Sequence, residues 1–124
     1  MNSFLMGERF MFDLEYHVMN ENEKKMVCSW KYDDEYALYN LPTYEQMKAK
    51  KMGFMKPESA KNYYSFYHQD AYVGFVNILE EDKEVFIGIG VNPNCCGKGY
   101  GQQMLEIAYA ISKRLYPTKP LYLE

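Results

Sequence analysis

The sequence predicts one mixed α/β domain with a mostly antiparallel sheet and a single parallel crossover. Three observations carry this. Strand-like segments at 62–68, 72–79 and 84–91 are joined by Gln69-Asp70 and by Glu80-Glu81-Asp82-Lys83, turns too short for a crossover, so the three are antiparallel neighbours. A glycine-rich turn then leads into an amphipathic helix at 102–115. Leu121-Tyr122-Leu123 follows as a strand, and strand, helix and strand in that order form a right-handed crossover, which makes the last two strands parallel.

The elements follow in order. Residues 1–9 show no period and are read as an N-terminal arm, with one domain over 10–124. Weak alternation at Phe12, Leu14, Tyr16 and Val18 marks a first strand. Asn20 and Glu23 stand at capping-box spacing and open a helix near 21–30, with Met26, Val27 and Trp30 at helical intervals. The polar, tyrosine-rich stretch from Lys31 to Leu41 reads as a loop. Thr43 and Gln46 cap a second helix, Lys48, Lys50 and Lys51 suit its C-terminal dipole, and Gly53 is expected to stop it. In the last helix Met104, Ala108, Ile111 and Leu115 form one stripe, widened by Leu105 and Ile107, and Pro117 and Pro120 end it.

Composition narrows the function. At 124 residues the chain holds one core, and 48% apolar with 25% charged residues is an ordinary globular balance. No run approaches the roughly 18 apolar residues of a membrane helix, and no signal peptide is visible. A net charge of -3 gives no chain-wide signal for nucleic acid. Cys28, Cys95 and Cys96 make a poor disulfide framework, and two histidines, His17 and His68, assemble no zinc spacing. These features read as a reduced, cytoplasmic protein without metal. The 13 tyrosines are read first as core and rim packing.

The chemistry concentrates in Cys95-Cys96-Gly97-Lys98-Gly99-Tyr100-Gly101, between a strand and a helix. Such a turn exposes main-chain N–H groups at a positive helix end and suits a phosphate or pyrophosphate, although glycines also serve turns for their backbone angles alone. It is not a P-loop, because Gly99 follows Gly97-Lys98 and Asn92 holds the leading glycine position. It is not a dinucleotide fingerprint, because its glycines run G-x-G-x-G.

The segment resembles the acetyl-CoA signature of the GNAT N-acetyltransferase superfamily, V-x-P-x-x-[Q/R]-x-x-G-x-[G/A]. Val91, Pro93, Gly99 and Gly101 match, and Cys96 holds the place of the usual Gln or Arg. The order of elements over 10–124 is similar as well. The resemblance implies a GNAT-like fold and acetyl-CoA as co-substrate, with the pyrophosphate on the turn through Cys96, Gly97, Lys98, Gly99, Tyr100, Gly101 and Gln102. It also implies that the pantetheine arm bonds main-chain groups of Ile89, Gly90 and Val91, where the strand splays from its parallel neighbour. Gly88 and Gly90 fit such a close approach, or equally an aromatic ring resting on them.

Acetyl transfer to an amine needs a polarised thioester carbonyl, a neutral amine and a proton for the departing thiolate. The resemblance implies a main-chain N–H near Ile89 to Val91 for the carbonyl. The carboxylate that the histone-modifying branch places on this strand would fall on Val85, which leaves the adjacent Glu84 as a weak candidate base. Glu80, Glu81 and Asp82 read as a solvated turn, and His68 as a surface or packing residue. The tyrosine acid of the family belongs to a helix after the last strand seen here, so the chain is expected to be a fragment, to be completed by another subunit, or to be silent. Cys95 and Cys96 lack a histidine partner for an acyl-enzyme route. Trp30, Tyr32, Asp33 and Tyr36 fall where the family lines its acceptor, and carboxylates beside rings suit a cationic amine. The expected function is transfer of acetyl to a primary amine of a small molecule or peptide, the alternative a silent CoA-binding or regulatory module. An apolar edge strand at 121–124 invites pairing, so a homo-oligomer is expected.

Overall fold

The computed structural model describes residues 12–33 and 40–123. The expected arm at 1–9 and the candidate Tyr36 lie outside them. Five strands form one sheet in sequence order: β1 Leu14–Val18, β2 Tyr63–His68, β3 Ala71–Glu80, β4 Val85–Val91 and β5 Leu121–Leu123. The first three pairings are antiparallel and the last is parallel, so the expected meander and crossover are both present. Three helices, α1 Glu21–Ser29, α2 Tyr44–Lys50 and α3 Tyr100–Leu115, pack around the sheet. No described helix is long and apolar enough to cross a membrane.

Local chemistry sets the helix starts. Asn20 caps α1 and Thr43 caps α2, each in a complete capping box closed by Glu23 and Gln46. The stop of α2 differs from expectation. Lys51, at φ 54°, is its left-handed C-cap, and Gly53 instead opens a short 3₁₀ turn through Met55. The amide of Met52 already returns to the Met47 carbonyl at 3.0 Å, so the helix is closed before the glycine is reached.

Strand alternation divides the core. On β2, Tyr64 and Phe66 join one apolar cluster with Met104, Ala108 and Ile111 of α3, while Tyr63 and Tyr67 join another with Val27, Met47 and Trp30. Successive strand residues face opposite sides, so α3 covers one face of the sheet and the α1–α2 region the other. Leu115 departs from its stripe and is 48% exposed. The chain leaves the helix there, and Tyr116 packs on the cluster in its place. α3 also buries two polar residues, Gln103 and Ser112. Ser112 donates to the Ala108 carbonyl, and Gln103 brackets the main chain of Phe12, tying the approach to β1 onto the helix.

The acidic turn after β3 is also more than solvated. Lys119 donates to the Glu80 carboxylate and the Glu81 carbonyl, and the Tyr122 hydroxyl donates to Glu81 at 2.7 Å. Together they hold the segment after α3 beside the β3–β4 turn and set β5 in register with Val85 to Ile87.

Candidate functional site

The site begins with an unequal pairing. β5 pairs with Val85, Phe86 and Ile87 only, so from Gly88 onward that edge of β4 has no strand partner among the described residues. Main-chain direction identifies the groups there. The Val85 amide donates to Pro120 on the β5 side, whereas the Asn92 amide donates to Val73 of β3. Alternate residues of an antiparallel strand point alternate ways, so the N–H and C=O of Ile89 and Val91 lie on the open edge. The Val91 carbonyl accepts a hydrogen bond from the Tyr32 hydroxyl at 2.6 Å.

Past β4 the chain is turned by Asn92. Its amide donates to Val73, its side chain donates to the Tyr72 carbonyl, and its Oδ1 accepts from Asn94, which anchors a 3₁₀ turn at Pro93–Cys95. Gly97 at φ 80° and Gly99 at φ 92° then take left-handed conformations that a side chain would resist, and a Cβ on Gly97 would meet nothing within 4 Å. Gly99 is the N-cap of α3 and supplies no side-chain cap. The first amides of a 16-residue helix therefore face out beside the exposed Lys98, with the positive end of the helix dipole behind them. Gly101 lets this turn sit on β4, since a Cβ there would stand 3.3 Å from the Val91 side chain.

A cavity of about 300 Å³ lies against the open edge. Ile89, Gly90, Val91 and Cys96 line one side, with Tyr32, and Val27, Trp30, Leu41 and Phe75 line the rest. Trp30 closes α1, its amide bonded to the Val27 carbonyl at 3.1 Å, and its ring stacks on Phe75 with centroids 6.2 Å apart. Phe75 rests on Gly90, where a Cβ would stand 2.5 Å from the ring. The ring-on-glycine reading of Gly90 is thus realised, and Gly90 also lines the cavity. Burial pushes the Tyr32 hydroxyl above its ordinary pKa, so it stays protonated at neutral pH.

The structure sorts the remaining candidates. The side chain of Tyr100 turns into the core, where it packs on Phe12 and shares a hydrogen bond with His68 at 2.7 Å, so only its main chain faces the turn. Gln102 is exposed and bonds Glu106 along the helix. Asp33 is exposed and does not line the cavity, so the expected carboxylate beside the rings is not supplied by it. Glu84 is exposed in the turn before β4, and ~3.3 Å per strand residue puts it roughly 17 Å from Ile89. A base that far away cannot touch a group held at the open edge. Cys28 is buried against the Met47 sulfur, and burial pushes its thiol pKa up, away from nucleophilic use.

Three lining residues were not anticipated: Val27, Leu41 and Phe75. A buried polar cluster was missed as well. The Glu23 carboxylate accepts from the Tyr67 hydroxyl at 2.7 Å and meets the His17 ring at 2.7 Å, while Ser65 and Tyr72 share a bond beside it. The capping-box spacing announced Glu23, but nothing local announced Tyr67.

Residues 14–123 match the acetyltransferase (GNAT) family. The chain belongs to this family. Solved structures agree on the GNAT fold. An acetyltransferase of Trypanosoma brucei superposes with a TM-score of 0.58 at 19% identity, over 90% of this chain and 82% of that one. A putative acetyltransferase from Pyrococcus horikoshii gives 0.59 at 15% identity, over 87% and 38%. The ribosomal-protein-S18-alanine N-acetyltransferase of Escherichia coli gives 0.54 at 13% identity, over 82% and 61%. The chain therefore spans about three fifths of the Escherichia coli enzyme and about two fifths of the Pyrococcus protein. No curated protein matches it in sequence.

Proposed function

We propose that this GNAT chain binds acetyl-CoA along the open edge of β4 and the start of α3, and transfers acetyl to a primary amine. The observation that carries the reading is the continuity of two main-chain features. The main-chain groups of Ile89 and the amide of Val91, on the edge that β5 does not reach, lead through Cys96 into the uncapped first turn of α3. The first suits an extended amide-bearing arm, the second a pyrophosphate. The residues fit that co-substrate. A glycine turn open to solvent needs no side chain to bind phosphate, so Cys96 in the Gln or Arg position does not bar it, and Lys98 adds positive charge.

In this reading an N–H of the open edge polarises the thioester carbonyl. The amine forms the C–N bond, and the C–S pair leaves on sulfur. Among the described residues Tyr32 supplies the hydroxyl that lines the cavity, and burial keeps it protonated. It turns its one proton from the Val91 carbonyl to the thiolate and recovers one, through solvent, from the amine nitrogen.

A silent CoA-binding module is the second reading, favoured by one observation: no carboxylate or histidine among the described residues lines the cavity. Calorimetric titration with CoA and a thiol-release assay across primary amines separate the two. Binding with release supports transfer. Binding without release leaves the silent module, and no binding at millimolar CoA removes both.

A further inference from the structure

We propose that the wall formed by Val27, Trp30, Leu41 and Phe75 receives the apolar body, an aryl or branched-alkyl group, of the amine acceptor. The proposal rests on the transfer reading above and names its acceptor class.

The cavity has room for more than the end of the CoA arm. A void of about 150 Å³ holds a benzene ring, and this one measures about 300 Å³. Its chemistry is one-sided. Among the described residues none of the lining side chains is charged, and the polar ones, Tyr32 and Cys96, sit on the strand side and are already bonded to main-chain carbonyls. The opposite wall is aliphatic and aromatic throughout. A polyamine or a lysine-rich peptide would lay charges on that wall with no counterion among the described residues, and desolvating an unpaired charge costs several kcal/mol. An amine carrying one nitrogen and an apolar body buries the body and leaves the nitrogen at the polar side. The same low-polarity surroundings favour the neutral amine, the form that attacks.

The wall is also fixed before anything binds. Trp30 is 9% exposed and touches Tyr72 as well as Phe75, with ring centroids 5.2 Å and 6.2 Å away. Phe75 is held on its other side by Tyr63 at 6.1 Å. A rigid wall discriminates by shape at little ordering cost.

Trp30 is the chain's one tryptophan, so its emission reports the wall directly and without turnover. Phenethylamine, isoamylamine and spermidine are titrated against the full chain, with and without CoA, under selective tryptophan excitation. The first two are expected to change the emission saturably and spermidine not to. Leu41→Phe, which fills a half-buried position of the wall, should weaken phenethylamine binding tenfold or more while CoA affinity by calorimetry stays within twofold. In thiol release, kcat/KM for phenethylamine should exceed that for spermidine at least tenfold. Normal CoA binding with no emission response to phenethylamine, or an equal response to spermidine, overturns the acceptor assignment and leaves the transfer reading standing. Octanoyl-CoA that binds more tightly than acetyl-CoA and displaces phenethylamine also overturns it, by giving the wall to the acyl chain. Saturable phenethylamine binding without any CoA binding supports the wall and defeats the transfer reading.

Discussion

Gly90→Ala tests the packing that joins the fold to the cavity. Two effects oppose each other. Replacing glycine by alanine narrows the unfolded ensemble and stabilises by about 0.4–1 kcal/mol where the folded backbone accepts a side chain. Gly90 is not among the residues with positive φ, so that gain is available. Against it stands contact. The new Cβ would lie 2.5 Å and 2.7 Å from two ring carbons of Phe75. The ring has little room, with Trp30 stacked on it and Tyr63 beside it. Overpacking of this kind costs about 1–3 kcal/mol, so a net loss of about 1–2 kcal/mol is expected. Urea denaturation should show a lower midpoint with an unchanged slope. The decisive measurement is a double-mutant cycle with Phe75→Leu. The smaller side chain makes room for the Cβ, so the double variant should be more stable than the two single losses predict, by about 1 kcal/mol. A Gly90→Ala variant as stable as the wild type, or strictly additive effects, would refute the reasoning and place the Phe75 ring elsewhere.

Other expectations follow from single contacts. Tyr32→Phe removes the hydroxyl bonded to the Val91 carbonyl. It should cost about 0.5–1.5 kcal/mol in chemical denaturation and lower thiol release by about 10²–10³-fold, and unchanged turnover would exclude Tyr32 as the proton donor. Glu23 carries a pH dependence. Burial pushes its pKa up, but the Asn20 amide and the bonds from Tyr67, Ser65 and His17 outweigh this and hold it below the ordinary 4.5. A depressed pKa contributes stability that is complete above the unfolded value and is lost as pH falls through the folded one. Stability measured from pH 6 downward should therefore fall below about pH 4.5 in the wild type, and Glu23→Gln should flatten that limb. An identical acid limb in both proteins would show that the charge of Glu23 does not contribute. β5 pairs on one side only among the described residues, and an open apolar edge invites a second strand. Sedimentation at micromolar concentration should show a dimer or larger species, and a stable monomer would refute pairing through that edge.

What could be read in advance was local or ordered along the chain. Asn20 with Glu23, and Thr43 with Gln46, are each three residues apart and closed as capping boxes, because both partners lie within one helical turn. The meander and the crossover followed from turn lengths and the order of elements. The main chain of the site was legible for a related reason. Glycine marks where the backbone itself makes contact, and Gly97, Gly99 and Gly90 stand where a Cβ would be strained or would strike a ring. The cavity wall was not legible, because it joins α1, the segment before α2 and the middle of β3. Each of Val27, Leu41 and Phe75 looks locally like ordinary core. The sequence pattern suggests rings beside carboxylates at Trp30 and Tyr32, yet Asp33 is exposed, and among the described residues these rings share the cavity with Val27, Leu41 and Phe75. Carboxylates at the rings would have selected a cation and left its amine charged, whereas an apolar wall selects the neutral form and the shape of the group attached to it.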